Sequence, residues 1–146
     1  MAAAAAVLLV AAALLLFVDW RQLGPPSALV TFEARVNGET ITIDGVTDLP
    51  DGTRLEWQAY EGEASEARHL VYGDTTTAAG RITASTIIAE QASGAMTIEV
   101  RFYAHASQPS ATVERFGPNG ENLRGSGVLE DSGTPVLVVK RQIALP

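Results

Sequence analysis

Hydrophobic and polar positions divide the chain into two unlike parts. Residues 2–18 form an unbroken apolar run, AAAAAVLLVAAALLLFV; beyond Asp19 the apolar positions recur at every second residue in short stretches. Alternation of that period places side chains on opposite faces of a strand and predicts a sheet with one buried face. The first such stretch sets Val30, Phe32, Ala34 and Val36 against Thr31, Glu33 and Arg35. Asn37-Gly38 follows, the pair favoured in a two-residue type I′ hairpin because both central positions need positive φ. A loop at 37–38 would pair 36 with 39, putting Ala34 opposite Ile41 and Phe32 opposite Ile43. Both strands would then turn their apolar residues to one side.

The same reading continues along the chain. Gly45 to Thr53 reads as a loop with a Pro-Asp-Gly turn, and a third strand carries Leu55, Trp57 and Ala59 inward. Glu61 to Glu66 is an acidic connection, His69 to Tyr72 a short strand, and Asp74 to Gly80 a Thr-rich loop. Arg81 to Ile88 is a strand, and Met96 to Ala104 gives the longest clean alternation. Val113 to Phe116 reads as a short strand before the Gly117-Pro118-Asn119-Gly120 turn, and Leu123 to Leu129 is interrupted by glycines. Val136 to Val139 is apolar on both faces, as a well-covered strand requires. No helix is expected after residue 20. Seven or eight closely spaced strands predict an all-β fold, an antiparallel immunoglobulin-like β-sandwich.

The apolar run adds a second element. Its 17 residues make a helix of about 25 Å, near the lower limit for a hydrocarbon core of about 30 Å. Trp20 between Asp19 and Arg21 suits a membrane interface. A cleaved signal peptide is the rival, but no basic residue precedes the run and Phe17-Val18-Asp19-Trp20 is a poor cleavage site. The expected organisation is a transmembrane anchor at 1–20, a Pro-rich linker at 21–28 and an extracytoplasmic β-domain at 29–146. Alanine blocks at 2–6 and 11–13 give the anchor a flat surface, so Ala4, Ala5, Ala11 and Ala12 are candidate contacts with neighbouring membrane helices.

Composition narrows the partners. Lys+Arg is 10 against Asp+Glu 17, a net charge of −7, which disfavours nucleic acid and anionic lipid headgroups. Cysteine is absent, which removes disulfides, thiolate metal sites and a Cys nucleophile. His69 and His105 lack companions at ligand spacing, so no metal site is expected. Asp44, Asp48 and Asp51 lack the alternating pattern and closing Glu of a calcium loop. Gly125-Ser126-Gly127 lacks the first glycine of a nucleophile elbow. Glu56 and Glu99 fall on outward faces, where charge is ordinarily solvated. Tyr60 and Tyr103 are out of phase with the buried positions of their strands and are candidate partner contacts. No catalytic residue and no cofactor is expected.

One resemblance sharpens this picture. Gly45-x-Thr47-Asp48-Leu49-Pro50-Asp51-Gly52-Thr53, leading into a strand, resembles a segment of bacterial exported and lipoprotein immunoglobulin-like β-sandwich domains. Phe116 to Leu123 is similar to a turn in some of the same proteins. The resemblance implies the fold and an exported location, and it implies no activity. The expected function is a non-catalytic, membrane-anchored accessory subunit of a bacterial membrane complex, partnered by integral membrane subunits. A free-standing surface or periplasmic module binding a protein or glycan is the alternative.

Overall fold

The computed structural model describes residues 27–62, 66–88 and 94–144. The anchor, with Ala4, Ala5, Ala11 and Ala12, lies outside the described residues, as do the linker up to residue 26 and residues 63–65 of the acidic connection. Among the described residues no helix is long and apolar enough to cross a membrane.

Among the described residues eight strands and one short helix follow one another: β1 (Val30–Asn37), β2 (Thr40–Thr47), β3 (Arg54–Glu61), β4 (Arg68–Thr76), β5 (Arg81–Ile87), β6 (Ala95–Tyr103), α1 (Ser110–Phe116), β7 (Val128–Asp131) and β8 (Thr134–Ala144). All pairings between these strands are antiparallel. They build a three-stranded sheet, β1-β2-β5, and a five-stranded sheet, β4-β3-β6-β8-β7. One apolar core draws on both: Phe32, Ile41, Ile43 and Ile82 from the first, Leu55, Trp57, Ile98, Val100, Phe102 and Leu137 from the second. The alternation read from the sequence therefore places the core correctly on both sheets.

The β1–β2 register differs from the expected one. Asn37 pairs with Thr40, so the loop is Gly38-Glu39, and Ala34 faces Ile43 while Phe32 faces Gly45. Gly38 has φ +60° whereas Asn37 and Glu39 stay at negative φ. Glycine at the first central position is the type II′ arrangement, and only that position then needs positive φ. The shift is two residues, which preserves facing. Strand β2 also runs through Gly45, Val46 and Thr47, where a loop was expected, because each pairs with β1 and the first two with β5 as well. Strand β4 likewise extends to Thr76 across the expected Thr-rich loop.

The segment read as a strand at Val113–Phe116 is helical instead. Pro109 supplies the carbonyl that receives the N–H groups of Thr112 and Val113, and Gly117, at φ +84°, ends the helix. Thr112 and Phe116, one turn apart, are both buried. Phe116 meets the edge of Phe102 at 5.3 Å, and the Thr112 hydroxyl lies 2.6 Å from that of Thr53. Burial against Thr53, just before β3, and Phe102 on β6 fixes a segment too short to hold helix alone.

Asp48, within the Gly45–Thr53 segment, and Asp44, just before it, are tied into the fold. Asp48 accepts from the Leu29 N–H at 2.7 Å and from Arg115 Nη2 at 2.6 Å, and Asp44 lies 2.5 Å from Arg81. Arg115 also donates to the Ser27 carbonyl, and Ser27 forms a bridge with Arg124. Residues 27 and 28, assigned to the linker on sequence, are thus already joined to the folded body.

Candidate functional site

The outer face of the five-stranded sheet, turned away from the core, carries the densest polar chemistry. Cross-strand pairing sets it out in rows. Tyr72, Gln58, Glu99 and Lys140 are successive partners across β4, β3, β6 and β8. Asp74, Glu56, Arg101 and Val138 form the next row.

Glu99 is the centre of this face. It points outward, as its phase requires, yet it is only 1% exposed, which corrects the expectation of a solvated carboxylate. Its Oε1 accepts from Gln58 Nε2 at 2.9 Å and from Arg101 Nε, and its Oε2 lies 2.7 Å from Lys140 Nζ. The long side chains of its neighbours cover it. Burial alone would raise the Glu99 pKa, but the donors from Lys140, Arg101 and Gln58 prevail and hold it below the ordinary carboxylate value. Glu99 in turn raises the pKa of Lys140, against the opposing effect of that amine's own burial.

A group with a depressed folded pKa stabilises above its unfolded value and loses that contribution as pH falls through the folded value. Glu99→Gln should therefore lower the urea midpoint at pH 7. The gap from wild type should shrink once pH falls below about 4.3, the ordinary Glu value. Parallel midpoints at every pH would show that the Glu99 charge contributes nothing.

Tyr60 and Tyr103, the tyrosines singled out on sequence, both lie on this outer face. Neither belongs to the apolar core. Tyr60 is nonetheless buried at 5% exposure, with Lys140 Nζ 3.3 Å from its hydroxyl and the His69 ring 5.8 Å from its own. Tyr103 is half-buried; its hydroxyl accepts from Arg101 Nη1 at 3.1 Å and donates to Asp131 at 2.8 Å. Burial raises the Tyr103 pKa, and the acceptor Asp131 adds to that, against the Arg101 charge. The two tyrosines brace the face from within.

The tyrosine of this face that opens to solvent is Tyr72, 65% exposed. It stacks on His69 at 5.1 Å and 18°. A register shift makes that possible: Ala59 pairs with Val71 but Tyr60 pairs with His69, leaving Leu70 as an extra residue. The bulge brings His69, an odd-numbered residue, onto the face of the even-numbered Tyr72. No local feature of the sequence marks this shift. Beside Tyr72, a hollow of about 320 Å³ lies among Glu56, Gln58, Asp74 and Arg101.

No family model matches the chain, and no curated protein is significantly similar to it. The geometry of this face therefore carries the functional reading. His105 lies apart from it, its Nδ1 2.7 Å from the Ser107 hydroxyl. Among the described residues no group of three or more His, Asp or Glu side chains could hold a metal ion.

Proposed function

We propose that this protein is a non-catalytic, membrane-anchored accessory subunit of a bacterial membrane complex. Its extracytoplasmic domain is an immunoglobulin-like β-sandwich, and the outer face of the five-stranded sheet is its contact surface. The strand orders support the fold assignment: β1, β2 and β5 take the places of strands A, B and E, while β4, β3, β6 and β8 take those of C′, C, F and G. The apolar run at 2–18 supports the anchor, and its alanines are the membrane-level contacts.

The observation that carries the assignment to this face is the exposed Tyr72 ring, stacked on His69. An aromatic fixed in advance buries large area at little cost in side-chain entropy, which is why Tyr is enriched where proteins meet. Tyr60 and Tyr103 act here as supports for the contact rather than as its surface.

The protein should resist alkaline extraction from membranes, and in mild detergent it should copurify with integral membrane proteins. Tyr72→Ala should weaken that copurification without lowering stability. Release into the soluble fraction as a monomer would overturn the subunit reading in favour of a free-standing binding module.

A further inference from the structure

Glu56 and Asp74 are direct partners across the β3–β4 ladder, and both are exposed. Directly opposed residues hold their Cβ atoms about 4.5–5.5 Å apart, and like charges at that spacing destabilise a sheet. Neither carboxylate receives an ion pair or hydrogen bond from a described side chain. The flanking arginines bond to other groups. Arg101, the partner of Glu56 on β6, gives its guanidinium to Glu99 and Tyr103. Arg54, two residues before Glu56, donates to the Ser107 carbonyl and hydroxyl.

The pair borders, together with Arg101, the hollow of about 320 Å³ beside the Tyr72 ring. Two carboxylates beside an exposed aromatic face make a receptor for an organic cation. The oxygens take charge-assisted hydrogen bonds, and the ring takes the flat side of the charge. A divalent metal would need more oxygen ligands than the two carboxylates give, and no third His, Asp or Glu joins them among the described residues. A guanidinium fits better: it is planar, reaches both carboxylates with separate N–H groups, and stacks on tyrosine.

We propose that this hollow receives an arginine side chain presented by a basic segment of the partner protein. The inference rests on the outer face being the contact surface. The net charge of −7 favours the approach of such a segment. The like-charge pair is then a local cost that partner binding removes.

The test uses the full chain, 15N-labelled in detergent micelles and titrated with an acetylated, amidated tri-arginine peptide. A tri-glutamine peptide and calcium chloride are run in parallel. Tri-arginine should shift the amide signals of Glu56, Tyr72 and Asp74, and the other two should not. Asp74→Asn and Tyr72→Ala should each weaken binding about tenfold. Asp74→Asn should also raise the thermal midpoint of the free chain, because it removes the opposed charge. Shifts spread over other acidic surfaces, equal shifts with calcium, unchanged affinity in both variants, or a lower midpoint for Asp74→Asn would each overturn the proposal. Copurification that persists after such a result would leave the contact face standing without its arginine; loss of copurification from wild type would instead remove the subunit reading.

Discussion

Trp57→Ala should lower the stability of the domain by about 3–5 kcal/mol, the range for truncating a buried aromatic. The indole is 4% exposed, and in its row of the five-stranded sheet it lies between Gly73 on β4 and Val100 on β6. Gly73 is part of the same device. A Cβ there would come within 2.7 Å of Trp57 Nε1, Cε2 and Cζ2, so the ring occupies the space a side chain would take. Gly73→Ala should therefore destabilise the wild type and be nearly neutral once Trp57 is alanine, a coupling that a double-mutant cycle reads directly. Trp57→Phe should be much milder than the alanine variant. It keeps most of the buried ring and removes an Nε1–H that has no hydrogen-bond partner among the described residues. Urea midpoints for the four variants test the set. Additive effects of Trp57→Ala and Gly73→Ala would show that the ring does not depend on the missing Cβ.

The sheet core was legible because period-two alternation depends only on which face is buried. Phe32, Ile41, Ile43, Leu55, Trp57, Ile98 and Phe102 all take the inward positions assigned to them. The hairpin register was not legible to the residue. Asn37-Gly38 and Gly38-Glu39 are both acceptable two-residue loops around one glycine, and they differ by a slip of two that leaves every side chain on the same face. Helix α1 escaped because its two buried positions are Thr112 and Phe116, a pair too sparse to show a helical period, and the burial of Thr112 depends on Thr53, far away in sequence.

The candidate face divides in the same way. Outward phase was correct for Tyr60, Tyr103 and Glu99, but their exposure depends on neighbours along the pleat that phase does not report. Glu99 and Lys140 are 41 residues apart and meet only through the β6–β8 register. His69 reaches Tyr72 only through the bulge at Leu70. The rings open to solvent and the carboxylates that border the hollow thus belong to β3 and β4 together, and neither strand carries the site alone.

Gly45→Val should destabilise the domain by about 3 kcal/mol, at the upper end of the usual cost of overpacking. Gly45 is buried in the middle strand of the three-stranded sheet, paired with Phe32 on one side and Ile82 on the other. A Cβ there would lie 2.4 Å from the Thr31 carbonyl oxygen and 2.8 Å from the Phe32 Cβ. Backbone cannot rotate aside as a side-chain end can, so β1 would have to move away from β2. Phe32→Ala should therefore fail to rescue Gly45→Val, since the Thr31 oxygen and the Cβ of residue 32 both remain. Truncating Trp57 should, by contrast, rescue Gly73→Ala, where the obstacle is a side chain. The urea midpoint should fall with an unchanged m value, which marks lost stability rather than a changed fold. A Gly45→Val protein within 1 kcal/mol of wild type would mean that Phe32 and Gly45 are not paired as found. The β1–β2 register would then return to the Asn37-Gly38 loop that the sequence first suggests.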